Sequence, residues 1–219
     1  MYNPIINKSK HYGNNRWFAF SPRLKRVVHL YSDLEFDNWV LTEMNPLVET
    51  FCEQPLRIRK GINGQLIESI PDLWIKWCSG KEEFVEVKYS FELDRSRPKT
   101  DMRTLLQIEC QSQWCQENGY GYIIRTEREV RGNPIFLSNM KRLLPYLRHY
   151  NETVETDDKR LLRAIGSEPI KLSWLFDSIC LPSNRIMGAL TRLFISGTIK
   201  ANFDLQPIGN NMEVWLNVS

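Results

Sequence analysis

From Ile70 to Lys88 the chain reads Ile-Pro-Asp-Leu-Trp-Ile-Lys-Trp-Cys-Ser-Gly-Lys-Glu-Glu-Phe-Val-Glu-Val-Lys. Alternating apolar side chains on either side of Ser79-Gly80 predict strands over residues 66–77 and 83–89, joined by a tight turn. A period of two puts Phe84, Glu86 and Lys88 on one face of the second strand and Val85, Val87 and Tyr89 on the other. Asp72 lies fourteen residues before Glu86 and is expected on the adjacent strand, beside that acid and lysine. A lone Glu-x-Lys on an exposed strand is only a solvated ion pair. The added acid is what points to chemistry.

Upstream, Val27–Tyr31 reads as a strand, and Ser32 opens a helix that runs to Met44 and is closed by Asn45-Pro46. Ser32 and Glu35 have the capping-box spacing, in which the Glu returns a bond to the backbone at the helix start. Glu35 is therefore a cap unless the fold brings it to Asp72 and Glu86. Residues 51–54 and 56–59 read as extended, separated by Pro55, and Gly61–Gly64 supplies a turn.

Downstream, a charged linker over residues 94–101 leads to a helix over 102–118. Met102, Leu106, Cys110 and Trp114 form its apolar line, and Gly119 ends it. A buried-type strand over 120–126, arriving after a helix, implies a mixed sheet with a crossover connection. A further helix is expected over 134–144, with Lys141, Arg142 and Arg148 on a wet face.

Beyond a polar, acidic linker over residues 151–158 the pattern changes. Three short amphipathic helices (159–165, 171–179, 183–196) precede two extended pieces (199–205, 213–218), an order that suggests a winged helix-turn-helix. From Glu155 onward seven basic residues face seven acidic ones. Affinity for DNA rests largely on cationic contacts to phosphate, so the balance favours protein docking over groove reading by this tail.

A chain of 219 residues has room for one large domain or for two, and the reading divides it at 1–150 and 151–219. The net charge of +3 permits contact with nucleic acid. The basic surplus lies ahead of the tail, notably in an N-terminal arm that carries Lys8, Lys10, Arg16, Arg23, Lys25 and Arg26 among Tyr12, Trp17 and Phe18, with no acid before Asp33. Such an arm suits phosphate contact with aromatic support, and equally a solvated segment packed on the body. Five cysteines, odd in number and without Cys-x-x-Cys spacing, read as packed free thiols in a reducing cytoplasm. No apolar run approaches the roughly 20 residues that span a bilayer, so no membrane contact is expected.

In-line hydrolysis of a phosphodiester needs metal ions that stabilise the attacking and leaving oxygens. Magnesium prefers oxygen ligands and keeps several waters, so a few carboxylates at a sheet edge suffice. Asp72 and Glu86 would be the primary ligands, with the Val87 carbonyl as a further oxygen and Glu35 arriving from the helix. Lys88 would orient or help deprotonate the attacking water and offset charge on the phosphoryl oxygens. Glu109 is a weaker candidate, and helix surface is its plainer reading.

Pro71-Asp72 followed by Glu86-Val87-Lys88, with a preceding helical Glu, resembles the PD-(D/E)XK nuclease pattern. Residues 27–35 (Val-Val-His-Leu-Tyr-Ser-Asp-Leu-Glu), Glu53-Gln54-Pro55-Leu56, Ile70-Pro71-Asp72-Leu73 and Phe84–Lys88 together resemble TnsA, the endonuclease subunit of heteromeric cut-and-paste transposases. The resemblance implies an α/β, restriction-endonuclease-like mixed sheet flanked by helices and followed by a small winged-helix domain. It implies a magnesium-dependent nuclease, with manganese able to substitute, that cuts double-stranded DNA at the 5′ ends of the transposon. A DDE transposase subunit, TnsB, would cut and join the 3′ ends, and the C-terminal domain would dock on the AAA+ regulator TnsC. By position the acids are Glu35, Asp72 and Glu86 and the lysine is Lys88; the family admits Gln where this chain has Glu86. Two other readings stay open: a stand-alone restriction or repair nuclease, and a winged-helix adaptor on a non-catalytic nuclease-like scaffold.

Overall fold

The computed structural model describes residues 2–5, 15–94, 96, 102–149 and 154–218. Lys8, Lys10 and Tyr12 of the arm, and most of the 94–101 linker, lie outside the described residues. The chain divides into two compact units, Met1–Trp39 with Leu47–Gly132, and Val40–Pro46 with Asn133–Ser219.

In the first unit the hairpin β1 (Trp17–Ser21) and β2 (Arg26–Leu30) leads into α1 (Asp33–Glu43), whose residues from Val40 onward group with the second unit. Then follow β3 (Val48–Glu53), β4 (Ile58–Ile62), β5 (Gln65–Ser69), β6 (Leu73–Trp77) and β7 (Glu82–Val87). After these come α2 (Met102–Glu117), β8 (Gly121–Arg125) and a short α3 (Glu127–Val130). Strands β3-β6-β7-β8 form one sheet, in which only β7 and β8 run parallel. This is the mixed sheet that a helical crossover through α2 requires. The residues of β1, read from sequence as part of an arm, instead pair with β2.

The strand expected over residues 66–77 is two strands in two sheets. β5 pairs with β4 alone, whereas β6 lies inside the main sheet between β3 and β7. Pro71 separates them: lacking an N–H, it cannot continue a ladder. Asp72 consequently stands at the entry of β6 and not within a longer strand.

One face of the sheet packs Cys52, Trp74 and Phe84 against Cys115 of α2, with Trp114, Tyr120 and Tyr122 around them. Phe84 meets the rings of Trp114 and Tyr120 edge-on at 5.6 and 5.2 Å. α2 also covers the small sheet, where Cys110 joins Ile58 and Ile62. Gly119, at φ 74°, ends the helix in the left-handed conformation that glycine tolerates. Cys52, Cys110 and Cys115 are packed as expected, while Cys78 and Cys180 are exposed.

The second unit holds α4 (Pro134–Leu143), a 3₁₀ segment (Leu144–His149), α5 (Val154–Ala164), β9 (Ile170–Lys171), α6 (Leu172–Ser178), α7 (Ser183–Ile195), β10 (Ile199–Ala201) and β11 (Glu213–Leu216). Its sheet has the order β10-β11-β9, antiparallel throughout. α7 is the central helix, with Ile186–Leu193 buried. Residues 133–149 group with this unit, whereas the sequence reading divides the chain at 150/151.

Asn139 of α4 accounts for that grouping. Its amide donates to the carbonyls of Phe203 and Gln206, at 2.8 and 2.7 Å, and its Oδ1 accepts from the N–H of Ile208 at 2.9 Å. Arg142 adds a bond to the Ile208 carbonyl and Asn133 one to Asp204, so α4 fastens the β10–β11 loop. α5 begins earlier than the sequence suggests, and Asp157 and Asp158 are helical residues rather than linker. Both are paired: Arg185 holds Asp157 at 2.6 and 2.8 Å, and Arg192 holds Asp158 at 2.7 Å. Among the described residues no helix is long and apolar enough to cross a membrane.

Candidate active site

In the antiparallel β6–β7 pair, Leu73 faces Val85. Continuing that register by one residue sets Asp72 opposite Glu86, with both side chains on the face that carries Trp74 and Phe84. The Asp72 carboxylate is fixed by its neighbour strand, its Oδ2 accepting from the Val87 N–H at 2.7 Å. Within an extended residue N–H and C=O point to the same flank, so the Val87 carbonyl is directed to the Asp72 side. Lys88 N–H instead donates to the Arg125 carbonyl at 3.1 Å, extending the parallel ladder to β8.

Glu86 is buried, and its Oε1 lies 2.9 Å from Lys88 Nζ. Its Oε2 accepts from Gln111 Nε2 at 2.9 Å. Gln111 in turn donates to Ser69 Oγ at 2.7 Å and accepts from the Tyr122 hydroxyl at 2.8 Å. Sequence reasoning took α2 as an apolar line through Cys110 and Trp114 and missed Gln111. The available signal was a glutamine adjoining that line, where an ordinary amphipathic helix carries an apolar side chain.

Glu35 does cap α1: its N–H donates to Ser32 Oγ at 3.1 Å, and its own oxygens accept from Ser32 Oγ and the Tyr31 N–H at 3.2 and 3.0 Å. The capping geometry does not remove it from the cluster, because the charges of Lys88 and Glu86 both act on it. Burial pushes its carboxyl up, against the hydrogen bonds from Tyr31 and Ser32 and the charge of Lys88. Asp72 is driven well above the usual carboxylate range by burial, then by Glu86, while Lys88 opposes. Burial alone would lower Lys88, but Asp72 and Glu86 outweigh it and hold the ammonium charged. The structure thus brings Asp72, Glu86, Lys88 and Glu35 into one electrostatic group. Glu109 stays apart, bonded to Gln113 on the surface of α2.

Beside Asp72, Gln54 holds a φ of 42°, uncommon for a residue with a side chain. Its N–H donates to the Asp72 carbonyl at 3.0 Å, and its carbonyl accepts from Ile5 at 2.9 Å. Glu53 next to it is buried and takes both oxygens to Arg26 at 2.6 Å. The Glu53-Gln54-Pro55 string is therefore a brace for the start of β6.

Three carboxylates share this site with one ammonium, so with all of them ionised their charge is only partly balanced. Among the described residues no three Asp, Glu, His or Cys side chains close into a ready-made chelate. Lys88 pairs with one oxygen of Glu86. The donors present are hard oxygens, namely Asp72, Glu86 and the Val87 carbonyl. They fit a divalent ion of the magnesium type, which binds through one or two carboxylates and keeps its waters, and which would offset the excess negative charge.

Residues 45–127, which include Asp72, Glu86 and Lys88, match the family model described as TnsA-like endonuclease N terminal. Among curated proteins none matches the chain.

Proposed function

We propose that this chain, a member of the TnsA-type endonuclease family through residues 45–127, is the subunit of a heteromeric cut-and-paste transposase that hydrolyses the DNA strand at the 5′ ends of the transposon. The observation that carries the reading is the placement of Asp72 across the β6–β7 ladder from Glu86, whose carboxylate lies 2.9 Å from Lys88. A bound Mg2+, or Mn2+ in its place, would supply Lewis-acid polarisation of the phosphoryl oxygen and a lowered pKa for the attacking water.

The chain's own residues have distinct tasks. Asp72 and Glu86, with the Val87 carbonyl, would hold the cation where β6 begins and β7 ends. Lys88 stays protonated beside Glu86 and offsets the charge that develops on the phosphoryl oxygens. Glu35 adds an acid from α1 that can hold a proton or a further water. The Val87 N–H keeps the Asp72 carboxylate from turning away, and the Gln54 N–H holds the Asp72 backbone carbonyl.

From α5 onward the second unit has the element order helix, strand, helix, helix, strand, strand, and the first and last of these strands are adjacent. This order supports the reading of these residues as a winged helix. We read it as a docking module for the AAA+ regulator TnsC, with the DDE transposase TnsB and the double-stranded transposon ends as the other partners. Groove reading is disfavoured because Arg185 and Arg192 of α7 are already engaged by Asp157 and Asp158, and the β10–β11 loop is fastened to α4.

The test is a strand-resolved excision assay with purified transposase, regulator and transposon-end DNA in magnesium, with and without this chain. The reading expects 5′-strand cuts only when the chain is present and little cleavage by the chain alone. Efficient unaided cleavage would favour a stand-alone nuclease. Failure of the chain to add 5′ cuts would leave only an adaptor role.

A further inference from the structure

We propose that Gln111 is the residue that orients Glu86, and that Tyr122 in turn orients Gln111; the inference rests on the nuclease reading above. Gln111 is 0 % exposed in the middle of α2. A primary amide in such a place is costly unless its groups are bonded. Here the bonds lead to the candidate site. Nε2 donates to Glu86 Oε2 and to Ser69 Oγ, and Oε1 accepts from the Tyr122 hydroxyl. Both N–H groups and one oxygen lone pair are used.

The amide has one workable orientation. An ionised carboxylate is acceptor-only, so turning the amide over would set Oε1 against Glu86 Oε2 and lose the bond. The Tyr122 hydroxyl reinforces the same choice. Burial drives its pKa upward, with Glu86 and Asp72 adding to the shift, so the hydroxyl remains a donor.

Glu86 is thereby held from two directions, with Lys88 on Oε1 and Gln111 on Oε2. Each carboxylate oxygen has acceptor capacity beyond the one bond named here. Without Gln111, Lys88 would be the one remaining partner of this carboxylate among the described residues, and the carboxylate could swing to place both oxygens on the ammonium. Gln111 acts through its bond to Glu86, so it is a positioning residue.

The experiment is calorimetric titration of the full-length chain with Mn2+ alone, alongside strand-resolved cleavage with the partner transposase. Gln111→Met, which keeps the side chain's length, is expected to weaken Mn2+ binding by about 10- to 100-fold, the usual effect of losing a hydrogen bond to a metal ligand. Tyr122→Phe should weaken it in the same direction by less, and it carries the test if Gln111→Met does not fold. In a Glu86→Gln background, Gln111→Met should add little, since the two residues act as one unit. Wild-type Mn2+ affinity in folded Gln111→Met and Tyr122→Phe, with Asp72→Ala still losing it, would overturn this inference alone. An equal loss from Gln111→Met with and without Glu86→Gln would also overturn it, because Gln111 would then act only through general stability. No Mn2+ binding by the unaltered chain would remove the nuclease reading and this inference with it.

Discussion

The backbone N–H of Val87 donates to Asp72 Oδ2 at 2.7 Å, so the strand that carries Glu86 and Lys88 also fixes the acid that opens the strand beside it. Asn at position 72 retains an oxygen to accept that bond but loses the charge. Asp72→Asn is expected to leave the fold intact and to lower 5′-strand cleavage by at least about 100-fold, roughly 3 kcal/mol of lost transition-state stabilisation. Cleavage at the wild-type rate, in magnesium with the partner transposase present, would refute the assignment.

Asp72 and Glu35 both titrate above their ordinary values in the folded chain. Above about pH 4, where unfolded carboxyls ionise, the folded state then binds more protons than the unfolded one, and stability falls as pH rises through the folded values. Thermal unfolding in a chelator should therefore show wild type losing stability relative to Asp72→Asn as pH is raised from 4. Cation binding should release protons over the same interval, measurable by calorimetry in buffers of different ionisation enthalpy. A pH-independent difference between the two proteins would contradict the sign.

Glu35 caps α1 and also feels the charges of Lys88 and Glu86, and two substitutions separate these roles. Glu35→Gln retains an oxygen for the Tyr31 or Ser32 bond and should cost little stability, whereas Glu35→Ala should cost about 1 kcal/mol by denaturant unfolding. If Glu35 serves the reaction, both lower cleavage at saturating magnesium. Full activity in Glu35→Gln would reduce the residue to a cap.

Arg185 and Arg192 are held by aspartates of their own unit. Removing a side-chain cation that neutralises a DNA phosphate lowers the slope of log affinity against log salt by about one. Arg185→Ala is expected to leave both the affinity for transposon-end DNA and its salt slope unchanged in filter-binding or fluorescence titrations. A slope reduced by about one would return α7 to the DNA interface.

Asn139 is 1 % exposed and bonds three backbone groups of the β10–β11 loop. Asn139→Leu keeps the approximate size and removes all three bonds. Buried groups left without partners cost about 1–3 kcal/mol each, so a loss of about 3 kcal/mol or more in denaturant unfolding is expected. A loss below about 1 kcal/mol would mean that the loop finds other partners.

Much of the site was legible because strand alternation is a local property. Residues 70–88 announce which side chains share a face, and the single turn at Ser79-Gly80 fixes Asp72 opposite Glu86. Gln111 was not legible, since its role depends on which turn of α2 passes over β5 and β7, and that is set by packing around Phe84 and Trp114 rather than by sequence spacing. The break at Pro71 was visible as a residue but not as a change of sheet, because an isolated proline does not say which partner the next strand will find. The early start of α5 was hidden for a related reason: Asp157 and Asp158 look like linker residues until Arg185 and Arg192 arrive from a distant helix.

The bonds from Asn139 also determine how this protein can be taken apart. A module excised after residue 150 would leave behind the anchor of its own hairpin loop, and the transplanted piece would carry unpaired carbonyls at its tip. Any exchange of C-terminal modules between such subunits, in the laboratory or by recombination, should therefore work best with a junction near Asn133, so that α4 travels with the loop it secures.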